Sequence, residues 1–122
     1  MTGHRFCRLD DIPDGGSAAF DLPDAATHLA SLGMFDPPQQ VMIIRRGPAV
    51  FCYVNVCPHW GAPLDIIPGQ FLDRDRRHII CSTHGALFRI EDGRCIRGPC
   101  LGANLTAVPC RVDAVTRDIF ID

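Results

Sequence analysis

Two short segments of the chain each carry one cysteine and one histidine: Cys57-Pro58-His59 and, after 21 intervening residues, Cys81-Ser82-Thr83-His84. Thiolates suit iron–sulfur clusters and zinc, and imidazole suits zinc and iron, so a site drawing two of each is confined to those metals. Spacing separates them. A tetrahedral Cys2His2 zinc site usually takes its cysteines from one short turn and its histidines from another, whereas here each segment supplies one of each. If equivalent loops face each other across a [2Fe–2S] rhomb, the two thiolates take one iron and the two imidazoles the other. On that reading Cys57, His59, Cys81 and His84 bind one cluster per chain, and its chemistry is one-electron transfer. Structural zinc is the competing reading, and colour divides the two: the cluster makes a protein reddish-brown, zinc leaves it colourless.

The residues after each pair match in kind. Trp60-Gly61-Ala62-Pro63-Leu64 follows His59, and Gly85-Ala86-Leu87-Phe88 follows His84, small residues giving way to apolar ones. Gly61 and Gly85 can take positive φ and bring backbone N–H groups close to a neighbour; such amides are natural donors to cluster sulfurs. A third piece, Gly98-Pro99-Cys100, begins 14 residues after His84 and reads as a rigid lid. On these residues the chain resembles the Rieske [2Fe–2S] family, whose pattern is C-x-H, a gap, C-x-x-H and a proline-containing loop over the cluster. The resemblance spans roughly residues 41–112.

The resemblance implies an all-β Rieske fold of small antiparallel sheets, with a cluster-binding subdomain at about residues 55–100 set into a basal β subdomain at about 1–54 and 101–122. It also implies a branch. High-potential members carry an extra cysteine in each loop, joined as a disulfide, and a serine after the second loop's His-Gly; the corresponding places here are Ala62, Thr83 and Ala86. With fewer hydrogen bonds to stabilise the added electron, the potential is expected toward the low end of a Rieske range of roughly −150 to +300 mV. Each ligand imidazole keeps one nitrogen to exchange a proton, which links electron and proton uptake at alkaline pH.

Composition bounds the rest. A chain of 122 residues is one domain. No apolar run reaches 18 residues, so no membrane span is expected, and the N-terminus lacks the apolar core of a secretory signal. Seven cysteines without an export signal fit a reducing cytoplasm. Cys7, Cys52, Cys95, Cys100 and Cys110 sit in apolar surroundings without paired spacing and read as reduced core thiols. Residues 1–40 hold six Asp against two Arg, a net of −4, and residues 41–122 hold eight acids against ten Arg, a net of +2; this is no nucleic-acid footprint.

The elements that must position the ligands read as strands. Arg5–Leu9 and Ser17–Leu22 flank the turn signal Pro13-Asp14-Gly15-Gly16, and Ala25–Met34 has helical spacing, closed by Asp36-Pro37-Pro38. Val41–Ile44 and Ala49–Val56 form a hairpin across Arg45-Arg46-Gly47-Pro48, delivering the chain into the first ligand loop. Ile66–Leu72 and His78–Cys81 flank the charged run 73–77, which must be a solvent-exposed turn. Leu87–Ile90 and Arg94–Ile96 enclose the hairpin signal Asp92-Gly93, and Ala107–Val112 and Val115–Ile121 complete the sheets.

There is no room for the mononuclear iron domain of an oxygenase, so the chain is expected not to be an enzyme alone. The resemblance implies a soluble cytoplasmic ferredoxin, a monomer or weak oligomer, passing electrons from an NAD(P)H-dependent flavin reductase to a terminal oxygenase. A small Rieske-type subunit of a multi-subunit reductase, such as those resembling nitrite reductase small subunits, is the second reading. Trp60, Gly61, Gly85, Ala86 and Pro99 are the residues expected around the cluster or at a docking face, with Trp60 equally suited to packing behind its loop.

Overall fold

The computed structural model describes residues 4–21, 40–56, 64–65, 69–81, 85–99 and 101–121. Among them are nine strands: β1 His4–Arg8, β2 Ser17–Asp21, β3 Gln40–Arg46, β4 Ala49–Val54, β5 His78–Ile80, β6 Leu87–Arg89, β7 Cys95–Arg97, β8 Cys110–Val112 and β9 Asp118–Ile121, with one 3-10 turn at Leu9–Asp11. They form three antiparallel sheets ordered β1-β9-β8, β2-β3-β4 and β5-β6-β7. The possible helix at 25–34 lies outside the described residues.

The sheet β2-β3-β4 is the middle layer, and the sequence of β3 shows why. Successive strand side chains point to opposite faces, yet Val41, Met42, Ile43 and Ile44 are all buried, which requires a core on each side. Met42, Ile44 and Tyr53 pack with Phe71, Ile79, Phe88, Ile90 and Cys95 from around the β5-β6-β7 sheet. Val41, Ile43, Cys52 and Val54 pack instead with Cys7, Leu9, Ile12, Val108 and Ile119 from around the β1-β9-β8 sheet. Each such burial stabilises the fold by about 1.5–3 kcal/mol. A run of apolar residues without alternation is thus the mark of a strand covered on both faces.

The hairpin β3–β4 pairs in register from Val41↔Val54 to Arg46↔Ala49, so the connection is only Gly47-Pro48, tighter than the four-residue turn expected. Gly47 takes φ +58°, the positive first position that a two-residue hairpin loop demands. Arg45 then ties this hairpin to the lower layer, its guanidinium donating to the carbonyl of Ile12 at 2.9 Å.

Three strand expectations need correction. Ile66–Leu72 is not a strand where it is described; Leu72 makes only an isolated bridge to Ile79, and Ile80 N–H bonds Phe71 C=O at 2.8 Å. Ala107–Val112 divides, with Ala107 bridging Tyr53 of the middle sheet and β8 starting at Cys110 in another sheet. Val115–Ile121 loses its first residues to a turn: the Asp113 carboxylate accepts from Val115 N–H at 2.8 Å and Thr116 N–H at 2.9 Å, and Arg117 sits at φ +64°. Val115 is consequently 91% exposed. No helix among the described residues is long and apolar enough to cross a membrane.

Candidate metal centre

The second ligand segment grows out of the β5–β6 hairpin. Ile80 pairs with Leu87, and beyond that pair Cys81 N–H bonds Ala86 C=O at 2.9 Å while Gly85 N–H bonds Cys81 C=O at 2.8 Å. These two bonds close the connection so tightly that Gly85 must adopt φ +71°, a conformation costly to residues bearing a Cβ. Cys81 is fully buried, at the end of a strand whose neighbour Ile79 belongs to the upper core. The positive φ expected of Gly85 therefore has a specific origin in hairpin closure.

The Gly98-Pro99 segment, expected to act as a lid, lies against this hairpin. A Cβ placed on Gly98 would fall 2.8 Å from Ala86 Cα and 3.0 Å from Ala86 Cβ, so backbone packs on backbone and only small residues fit at 86 and 98. Leu101 N–H closes a turn on Gly98 C=O at 3.2 Å, with Pro99 at the position where its fixed φ favours turning. Pro99 is exposed. Of the exposed large apolar residues among those described, Ile96 and Leu101 both flank this turn, and Arg97 beside them is exposed too.

The first ligand segment is rooted differently. Cys57, His59, Trp60 and Gly61 lie outside the described residues, as does His84, but both ends of the first loop are defined. Asn55, the one buried polar side chain among the described residues, joins them: its Oδ1 accepts from Leu64 N–H at 2.9 Å, and its Nδ2 donates to Asp65 Oδ1 at 2.9 Å and to Gln40 Oε1 at 3.2 Å. Asp65 in turn accepts from Gly69 N–H at 2.9 Å. Expecting the strand to run on through Val56 hid this residue. Its signal was present, since an amide within an apolar strand must find partners or cost about 1–3 kcal/mol.

Two further features hold the upper layer. The Tyr53 hydroxyl donates to Ile90 C=O, and its ring lies beneath the Asp92-Gly93 turn, where a Cβ on Gly93 would come within 2.8 Å of Tyr53 Cε1. Burial, followed by the nearby Asp92 and Glu91 carboxylates, pushes the Tyr53 phenol up to about 12. In the charged turn 73–77, the Asp73 carboxylate accepts from Arg77 N–H at 3.0 Å and His78 N–H at 3.3 Å and faces His78 Nδ1 at 3.3 Å. Burial opposes ionisation of Asp73, but these bonds outweigh it and hold the carboxyl below its usual range.

The donor chemistry fits an iron–sulfur group: a buried thiol at Cys81 beside main-chain bonds to Gly85 and Ala86, and the Gly98-Pro99 turn packed on Ala86. Among the described residues no three or more metal-binding side chains gather.

Comparison with known proteins agrees with the geometry. The fold matches the ferredoxin of carbazole 1,9a-dioxygenase from Nocardioides aromaticivorans IC177 with TM-score 0.71 and 25% identity, covering 99% of this chain and 97% of that one. It also matches a complex of reduced oxygenase and oxidized ferredoxin in carbazole 1,9a-dioxygenase (TM-score 0.69, 18% identity, 98% of this chain and 91% of that one). A further match is the terminal oxygenase of carbazole 1,9a-dioxygenase from Novosphingobium sp. KA1 (TM-score 0.72, 15% identity), where 98% of this chain corresponds to 29% of the oxygenase. No curated protein sequence matches significantly. The class defined by fold and site is thus a β domain built to carry an iron–sulfur centre. The Rieske [2Fe-2S] domain model matches residues 4–112, and the chain belongs to that family; the group it carries is a [2Fe–2S] cluster.

Proposed function

We propose that the protein is a one-electron carrier, not catalytic alone, that takes electrons from an NAD(P)H-dependent flavin reductase and delivers them to a terminal oxygenase. One observation supports this above others: the match to a dioxygenase ferredoxin runs over nearly the full length of both chains. The match to an oxygenase covers only the part of that larger protein that corresponds to this domain. Cys57 and Cys81 would hold one iron and His59 and His84 the other, and the bound cluster supplies a reversible one-electron couple. The chain's own residues do the rest. Asn55 and the β5–β6 hairpin fix the two loops, and Ala86 and Gly98 keep the lid close. Ile96, Pro99, Arg97 and Leu101 give the lid end an exposed, partly apolar surface for a partner. We place the division between cluster-binding and basal parts at about residues 55 and 100, and the protein in the cytoplasm.

The test begins with EPR of the dithionite-reduced protein, where the low average g value of a Rieske cluster is expected. Cys81→Ala and His84→Ala should each abolish it while circular dichroism retains the β signature. Rapid mixing of the reduced protein with a carbazole-type terminal oxygenase should then reoxidise the cluster faster than buffer alone. Reoxidation no faster than in buffer rejects the carrier role, and a stable stoichiometric complex with a reductase on size-exclusion chromatography would replace it with the reductase-subunit reading.

A further inference from the structure

Cys52 and Cys110 stand at the corner where the chain leaves the edge of β4 and becomes β8. Tyr53 bridges Ala107, and Val108 N–H bonds Cys52 C=O at 2.9 Å, which brings Cys110 alongside β4 two positions further on. Cys52 is buried in the lower core, and Cys110, half-buried, packs against the same core. Cys110 is the foremost influence on the Cys52 thiol, raising it above its ordinary range, and both are free thiols. We propose that Cys52 and Cys110 are a redox pair that closes to a reversible disulfide on exposure to a peroxide.

The steps balance. The Cys110 sulfur, the more exposed of the two, attacks one peroxide oxygen; the O–O bond breaks, Cys110 becomes a sulfenic acid, and the departing hydroxide leaves as water with the thiol's proton. The Cys52 sulfur then attacks the Cys110 sulfur, the S–O bond breaks, the S–S bond forms, and the Cys52 proton leaves with the hydroxyl as a second water. Two thiols have lost two electrons and one peroxide has gained them. The order follows from environment: the neighbouring Cys110 first and burial second hold the Cys52 thiol well above its ordinary range, which suits the resolving rather than the attacking role. Cys7, in the same core, is the competing resolver; burial first and Asp11 second push its thiol up to about 11.

The bond would close residues 53–109 into a loop, and that loop contains both ligand pairs and the lid. The two ends of the cluster-bearing segment would then stay joined even when the cluster is damaged. The assignment stands on the β4–β8 corner alone and does not depend on which partner the cluster serves.

Peptide mapping of the hydrogen-peroxide-treated holoprotein, alkylated and digested without reductant, tests it. The expected result is a linked pair of peptides containing Cys52 and Cys110, lighter by two hydrogens than the sum and separated by dithiothreitol, formed while the cluster's visible absorbance persists. Cys110→Ser, a small change at a half-buried position, should lose the link and leave Cys52 alkylatable. Full alkylation of Cys52 in oxidised wild type, a Cys110 sulfinic acid in place of the link, or a link from Cys52 to Cys7 would each overturn the proposal. The wild-type map decides even if the variant does not fold.

Discussion

The two loops that carry the candidate ligands are held at their roots by different means. The loop after Cys81 is closed by main-chain bonds between Cys81, Gly85 and Ala86, continuing the β5–β6 ladder. The loop after Val56 has no such ladder in the described residues; its ends meet through one side chain, Asn55, which reaches Leu64, Asp65 and Gln40. A root made of backbone survives most substitutions, because every residue but proline supplies the same N–H and C=O. A root made of one amide can be removed by one mutation.

The sharpest way to break the comparison is Asn55→Leu. It strands the buried Leu64 N–H and frees Asp65 and Gln40, and should cost about 3 kcal/mol. Urea denaturation gives the cost, and iron content per chain should fall with it; full cluster loading at unchanged stability would show that the first loop has another anchor. Next is Gly98→Ala, where a left-handed backbone meets the Ala86 backbone at 2.8 Å. We expect a loss of about 2 kcal/mol, the strain alone accounting for roughly 1–2.

Gly85→Ala is the control that separates strain from crowding. Its φ is also positive, but among the described residues beyond its chain neighbours no atom lies within 4 Å of an added Cβ. The cost should be about 1 kcal/mol, smaller than at Gly98, and a thermal melt of the two variants side by side would reverse this ranking if the lid moves freely.

The smallest effect concerns pH. Asp73 is held below its usual range, so its contribution to stability is present above the carboxyl's unfolded value and fades as pH falls through the folded one. Asp73→Asn should therefore lower stability slightly at neutral pH and flatten the acid limb of the stability curve below about pH 4. An unchanged acid limb would remove the Asp73 turn from the account.

Much of this was legible in the residue order. The hairpin at Asp92-Gly93, the exposed turn at 73–77 and the strands around Ile43 and Phe51 follow from local chemistry. The two-sided burial of β3 was present as a non-alternating apolar run, but which layers cover it depends on contacts far along the chain. Asn55 was read as strand because its partners at 64 and 65 lie across a loop. Val115 and Thr116 have strand propensity, but Asp113 captures their N–H groups and turns the chain first. At Gly98 the reason for glycine is a neighbour 12 positions back, beyond any local pattern.

The middle sheet has a consequence for how the protein must be made. Because Met42, Ile44 and Tyr53 belong to one core and Val41, Ile43 and Cys52 to the other, a chain that finishes its lower layer first presents a bare, strongly apolar sheet face. That face is a template for self-association. Closure of the upper layer, whose β5–β6 connection leads from Cys81, thus competes with aggregation during biosynthesis. Expression under iron limitation should shift the protein from the supernatant into inclusion bodies, and supplying iron and cysteine should return it.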